Sequence, residues 1–272
     1  MQLAALSSGR TMPMLGLGTW ELTGRECART VSKALRLGYR HIDTAVFYDN
    51  HKDVAAGIED SGVDRGDIFI TTKVWRDKLH FDDVLRECDH SLKELELDCV
   101  DLLLVHWPNS AIPLAETLRA FRRLLDEGKI RDAGVSNFTV KHLAQAVALD
   151  EVPIAVNQVE YHPFLNQQVL LDYCQANGVV LTAYAPLARG RVKGDELLTD
   201  VARNCSRSEW QVALRWMVQK GIVVIPKASS DEHLKANMDI FDWTITDEHM
   251  ASLDANPTRF RLMDWDVGEF ED

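Results

Sequence analysis

Asp43, Lys73 and His106 each stand at the C-terminal end of an apolar run of strand length, and Tyr48 follows Asp43 by five positions. A single aspartate, lysine or histidine at one strand end is ordinarily a loop residue. At the ends of three successive strands the groups are neighbours and can converge. A tyrosine hydroxyl titrates near about 10 in water, too weak an acid to protonate an alkoxide readily at neutral pH. An ammonium beside it favours the phenolate. Lys73 can supply that ammonium, Asp43 can hold it charged and aimed at Tyr48, and His106 can donate a hydrogen bond to a substrate oxygen. Such a set protonates an oxygen while something else attacks the carbon. The sequence shows no activated nucleophile and no metal-ligand cluster, so the expected attacker is a hydride from a nicotinamide cofactor, and no metal is expected.

Convergence of this kind requires a particular arrangement of elements. Apolar runs are read as strands near 14–18, 39–43, 68–73, 100–106, 130–136, 154–158, 179–184 and 222–226. Helical patterns lie between them. Leu85, Cys88, Leu92 and Leu95 share one helical face, as do Leu114, Leu118, Phe121 and Leu125. Gly128, Gly178 and Gly221 each close a helix just before a strand, where a left-handed residue is wanted. Alternating βα units without a compositional break predict a single (β/α)₈ barrel domain over residues 1–272, an α/β TIM barrel. The rival is a doubly wound sheet. It would carry a glycine-rich turn after the first strand, but Gly16-Leu17-Gly18 runs into Thr19-Trp20-Glu21 rather than a helix, so the dinucleotide fingerprint is absent. Two short segments around the turn Ser7-Ser8-Gly9 predict an N-terminal β-hairpin at the closed end of the barrel. The C-terminal tail after Asp254 carries Phe260, Trp265 and Phe270 and is read as lying near the site, folded over it or packed on the surface.

Composition narrows the function classes. The chain of 272 residues is 46% hydrophobic and 26% charged, which suits a folded enzyme and not a disordered or fibrous chain. Its formal net charge of −12 argues against nucleic acid as the main partner. No apolar run is long enough to span a bilayer, and the start lacks a secretory pattern, so no membrane partner and a cytoplasmic location are expected. Five cysteines without a CxxC suit reduced thiols rather than a disulfide framework or a zinc ribbon.

Reading the strand ends in order gives Thr19-Trp20, Asp43, Lys73 with Trp75, His106-Trp107, Ser136-Asn137, Gln158, Tyr184 and Lys227. The stretches GLGTW (16–20), GYRHIDTAVFYDN (38–50), ITTKVW (70–75), DLLLVHWP (101–108), GKIRDAGVSNF (128–138), VNQVEYHP (156–163), AYAPLARG (183–190) and VIPKASSDEHLKAN (224–237) resemble the aldo-keto reductases, nearly end to end. The chain is most similar to the short prokaryotic branch that includes 2,5-diketo-D-gluconate reductases. The resemblance implies a barrel that reduces aldehydes and ketones with NAD(P)H, including keto-sugar acids or dicarbonyls, with Asp43, Tyr48, Lys73 and His106 as the catalytic tetrad and Tyr48 as general acid. It implies that Ser136, Asn137 and Gln158 hydrogen-bond the nicotinamide carboxamide and that Tyr184 stacks on its ring. Thr19, Trp20 and Asp43 join the cofactor contacts, and Leu187, Arg189 and Gly190 lie over the pyrophosphate. Lys227, Ser229, His233 and Asn237 are the counterparts of the adenine-end motif. Trp20, Phe47, Tyr48, Trp75, His106 and Trp107 line the substrate pocket. By the same likeness the protein is expected to be a monomer acting on a small carbonyl substrate.

The adenine-end motif departs from the family pattern. A serine, an arginine and a glutamate of that pattern are replaced by Ala228, His233 and Ala236. The arginine normally pairs with the 2′-phosphate of NADP, and a mostly neutral histidine offers that dianion far less charge. Asp231 and Glu232 in the same turn would repel it. NADP(H) is the expected cofactor, and the weakened motif leaves NAD(H) open. Other readings are a nucleotide-sensing accessory subunit with little turnover, a Schiff-base aldolase using Lys73, and a metal hydrolase using His41, Asp43 and His106. The loop after His106 is short, which predicts an open pocket.

Overall fold

A computed structural model describes residues 2–263 of the chain. The hairpin forms as expected: β1 (Leu3–Ala5) pairs antiparallel with β2 (Thr11–Pro13). Eight parallel strands follow, β3 (Leu17–Gly18), β4 (His41–Asp43), β5 (Phe69–Val74), β6 (Val100–Val105), β7 (Ile130–Ser136), β8 (Ile154–Glu160), β9 (Val180–Tyr184) and β10 (Val223–Val224). Each pairs with the next, and β10 returns to the first: Leu15 bridges Val224, Gly16 N–H donates to Val224 O over 2.9 Å, and Val224 N–H donates to Met14 O over 2.9 Å. The sheet therefore closes on itself, and the doubly wound alternative is excluded.

The first strand is shorter than its apolar run predicts, because its glycines serve close approach rather than regular pairing. A Cβ on Gly16 would lie 2.5 Å from His41 Nδ1, and one on Gly18 would lie 2.7 Å from Ile225 O. This packing explains the Gly-x-Gly without any phosphate.

The helices are α1 (Gly24–Leu37), α2 (His51–Ser61), α3 (Phe81–Leu95), α4 (Leu114–Asp126), α5 (Val140–Leu149), α6 (Gln168–Ala176), α7 (Glu196–Cys205), α8 (Glu209–Gln219), α9 (Asp231–Met238) and α10 (Asp247–Asp254). Their buried faces are turned slightly from the expected stripes. In α3, Val84 is buried and Leu85 only partly so. In α4, Thr117 is buried because its Oγ1 donates to Leu79 O over 2.7 Å, while Leu114 and Leu125 lie at the edge. Gly128, Gly178 and Gly221 have φ of 70°, 67° and 82°, the left-handed helix exits the sequence called for.

Two apolar clusters hold the assembly. The larger fills the space between strands and helices. The smaller lies inside the barrel, where Leu6 and Met12 of the hairpin region pack with Phe69, Leu102, Leu104, Val156 and Val223. Arg10 reaches Asp132 at 3.3 Å. The hairpin thus plugs the N-terminal end, leaving the C-terminal ends of the strands for chemistry. Trp265 and Phe270 lie outside the described residues.

Candidate active site

Asp43 ends β4, and a 3-10 turn over Val46–Tyr48 brings Tyr48 back above it. Lys73 lies on β5 and His106 just beyond β6. Lys73 Nζ donates to Asp43 Oδ1 over 2.5 Å, to Thr44 O over 2.9 Å and to Tyr48 Oη over 3.3 Å. Those acceptors use all three ammonium protons. Lys73 is fully buried and is not among the residues lining the cavity, so its amine is not presented there to form a Schiff base. The Tyr48 and His106 ring centroids are 5.7 Å apart. The tetrad predicted from the strand ends is assembled.

Burial dominates its electrostatics. Burial lowers the pKa of the Lys73 ammonium and raises that of the Asp43 carboxyl, and each partner opposes the other's shift. His106 is held well below the ordinary imidazole value by burial and then by Lys73, so it is neutral near pH 7. Tyr48 corrects the simplest sequence expectation. Burial, followed by the Asp43 charge, pushes its phenol well above the ordinary value of 10.0. The expected ammonium effect does not lower it on balance, because burial and the Asp43 charge outweigh it. The phenol therefore carries its proton at neutral pH.

A cavity of about 370 Å³ opens over these groups. At the tetrad end its walls are Trp20, Phe47, Trp75, His106 and Trp107. Phe47 is sandwiched: its ring stacks on Trp75 at 4.0 Å and on Trp20 at 5.8 Å. Phe47 is 43% exposed, which sets the stack at the pocket mouth.

The cavity continues past Asn137, Gln158, Tyr184, Leu187, Arg189 and Gly190 to Lys227. Ser136, Asn137, Gln158 and Tyr184 form one hydrogen-bonded group. Ser136 Oγ donates to Gln158 O over 2.7 Å, Asn137 Nδ2 to His106 O over 2.9 Å, and Tyr184 Oη to Asn137 Oδ1 over 2.8 Å. Ala185, Ala188 and Arg189 have φ of 48°, 47° and 51°, an uncommon left-handed run for residues other than glycine. It bends the 185–190 segment over the cavity. Amide groups at one end, the Tyr184 ring in the middle and Arg189 with Lys227 at the other form a donor set that fits a nicotinamide dinucleotide.

Other predicted residues stand back from the cavity. Thr19 is buried and its Oγ1 donates to Asp43 O over 2.9 Å. Ser229 lies beside Arg29 and Lys33 of α1, and Asn237 is buried in α9. His233 stacks on Trp210 with centroids 6.0 Å apart, and Trp210 itself lines the cavity. Asp231 is engaged by Lys33, which offsets the repulsion expected from its charge. His41 bonds Thr71 Oγ1 through Nε2 at 3.1 Å and packs edge-on against Phe69. Among the described residues, no group of three or more His, Cys, Asp or Glu is disposed to hold a metal ion. No helix among them is long and apolar enough to cross a membrane.

Sequence reasoning missed several cavity residues: Glu21, which pairs with Lys227 at 3.6 Å, Trp210 and Met263. It also ended the sixth barrel strand at Gln158, two residues early. The strand runs to Glu160, and a carboxylate at the end of an apolar strand was the available signal.

The comparisons agree with this geometry. The model of the Aldo/keto reductase family matches residues 14–256. The glyoxal reductase of Bacillus subtilis (strain 168) is 42% identical over 92% of this chain and 91% of its own length. The crystal structure of a candidate 2,5-diketo-D-gluconic acid reductase B superposes with a TM-score of 0.93 at 40% identity, covering 100% of this chain and 98% of that one. An aldo-keto reductase crystallised with NADPH superposes with a TM-score of 0.90 at 34% identity, covering 96% of this chain and 89% of that one. The chain belongs to the aldo/keto reductase family, as an NAD(P)H-dependent oxidoreductase of small carbonyl compounds.

Proposed function

We propose that this protein reduces small aldehydes and ketones, dicarbonyls of the glyoxal type among them, with NADP(H), and that Tyr48 is the general acid. The observation that carries the reading is the chain of contacts from Asp43 through Lys73 to the protonated Tyr48 phenol, which ends at a cavity shared with Tyr184 and the 187–190 turn.

A bound nicotinamide supplies hydride to the carbonyl carbon. The side chains do the rest. Tyr48 donates its proton to the carbonyl oxygen as negative charge develops there. Lys73, donating to Tyr48 Oη, stabilises the phenolate left behind. Neutral His106 orients the oxygen by hydrogen bonding. Tyr184, with Asn137 and Gln158, sets which face of the ring points at the substrate. The aromatic walls at Trp20, Phe47 and Trp75 limit water around the reacting oxygen.

The tetrad end favours neutral dicarbonyls over keto acids. None of the residues lining it carries a positive charge, since His106 is neutral and Lys73 is committed to Asp43. The name of the Bacillus subtilis relative points the same way. The NADPH held by a structural neighbour supports NADP(H), with Lys227 ahead of α9 and Lys235 in its last turn as the cations of this motif. The tetrad and the cavity walls sit on one barrel, which supports a single-domain reading, and a monomer is proposed on family likeness.

The test is the initial rate of NADPH and NADH oxidation with glyoxal and with a simple aromatic aldehyde. Carbonyl-dependent oxidation of NADPH is expected. Its absence with both aldehydes and both nucleotides would refute the reading.

A further inference from the structure

Glu160 ends β8 fully buried, and the acid–base chemistry makes no use of it. Its Oε1 accepts from Leu262 N–H over 2.7 Å, and its Oε2 accepts from Met263 N–H over 2.9 Å. His162 Nε2 lies 2.9 Å from Oε1. Phe164 N–H donates to His162 Nδ1 over 3.2 Å, so Nδ1 is the unprotonated nitrogen and the Nε2 proton is the one given to Glu160. A buried carboxylate held by three donors is a costly device unless the donors must stay in place.

The held segment touches the cofactor end of the cavity. Phe260 stacks on Phe164 with centroids 5.0 Å apart, and its N–H donates to Phe164 O over 3.1 Å. The Arg191 guanidinium lies 4.9 Å from the Phe260 ring centre. Arg189 Nη2 lies 3.6 Å from Met263 Sδ, and both residues line the cavity. Segment 260–263 is thus fixed to Glu160 on one side and braces the 187–191 turn on the other.

We propose that Glu160 is a positioning residue for the cofactor: it clamps segment 260–263 so that Met263 holds Arg189 in the wall over the nucleotide while Phe260 holds the neighbouring Arg191. The proposal rests on the reading that the 187–190 turn covers the cofactor.

Two variants test it. Glu160→Gln removes the charge and one acceptor, and Leu262→Pro removes the N–H that Oε1 accepts while leaving the Met263 contact with Arg189 in place. The first readout is hydrogen exchange at 187–191 in the nucleotide-free protein, followed by mass spectrometry. The second is the rate of NADPH release in stopped flow. Each variant is expected to speed exchange at 187–191 and to speed release by about tenfold, the size of losing one charge-assisted hydrogen bond. The double variant is expected to be no worse than either single one, because both loosen the same clamp. Glu160→Asp, which keeps the charge, is expected to restore part of the retention. Unchanged exchange in both variants would overturn the clamp. Faster exchange with unchanged NADPH release, or effects that multiply in the double variant, would overturn its role toward the cofactor. If Glu160→Gln does not fold, Leu262→Pro decides the same questions. Should the wild type bind no nucleotide, the cofactor reading fails, and with it the role toward the cofactor; exchange at 187–191 still decides the clamp.

Discussion

Gln158 Nε2 donates to Asp43 Oδ2 over 2.6 Å, joining residues 115 positions apart in the chain. The other oxygen of the same carboxylate takes the Lys73 ammonium. One buried aspartate therefore ties the Lys73–Tyr48 pair to the amide side chain of Gln158 on β8. Any displacement of the amides is felt at Lys73, and through it at Tyr48. A second link joins the two halves, where Asn137 Nδ2 donates to His106 O over 2.9 Å.

Removing the ammonium should expose that dependence. Lys73→Met leaves the Asp43 charge facing the phenol and deletes the donor to Tyr48 Oη. Both changes favour the neutral phenol, so the pKa governing Tyr48 rises further. Alcohol oxidation, which needs the phenolate as base, is expected to fall more than carbonyl reduction, and both its rise with pH and the alkaline limb of carbonyl reduction are expected to move to higher pH. pH–rate profiles in both directions check this. An alkaline limb unchanged from wild type would separate Lys73 from Tyr48.

At the adenine end, His233→Arg should shift preference toward NADPH. A guanidinium can meet a phosphate bidentately, and a charge-assisted contact contributes about 1.5–3 kcal/mol, or roughly ten- to a hundredfold in Kd. The native His233 stacks on the cavity residue Trp210, so the new side chain starts from the right wall. Kd values for NADPH and NADH at fixed low salt give the answer. A constant ratio between the two nucleotides would place the 2′-phosphate elsewhere.

Glu160 also predicts a pH dependence of stability. Its carboxyl lies below the ordinary value of 4.5: burial opposes this, but His162 and the Leu262 and Met263 amides outweigh it. A depressed folded-state pKa contributes stability that is complete above the unfolded value and is lost as pH falls through the folded one. The buried Tyr184 phenol, which also feels Glu160, is neutral throughout this range. The gap in Tm between wild type and Glu160→Gln is therefore expected to be largest above about pH 5 and to close as the pH is lowered below the ordinary glutamate range. A gap that stays constant down to acid denaturation would mean that Glu160 is not held as the anion.

Much of this site was legible in the sequence because barrel strands are apolar inside and end abruptly in a polar group. Asp43 and Tyr184 end their strands and His106 follows one, while Lys73 and Gln158 stand one and two residues inside theirs. The first and last barrel strands were less legible, since their pairing depends on close approach at Gly16 and Gly18. The left-handed Ala185 and Ala188 could not be read at all, as alanine ordinarily signals helix. Trp210 and Met263 reach the cavity from a helix and from the tail, where strand-end reasoning does not look. The direction of the Tyr48 shift depends on burial and on the nearby Asp43 charge, and these exist only once the barrel has closed.

The central claim is that Tyr48 gives the proton, and replacing its hydroxyl tests it most directly. Tyr48→Phe deletes the donated proton and keeps the ring that packs against Trp20 with centroids 4.8 Å apart. In a single turnover with NADPH bound, carbonyl reduction is expected to slow by about 10²–10⁴-fold, the usual worth of a general acid. NADPH affinity, followed by tryptophan fluorescence, is expected to stay close to wild type. Retention of more than about a tenth of the wild-type single-turnover rate would contradict the assignment.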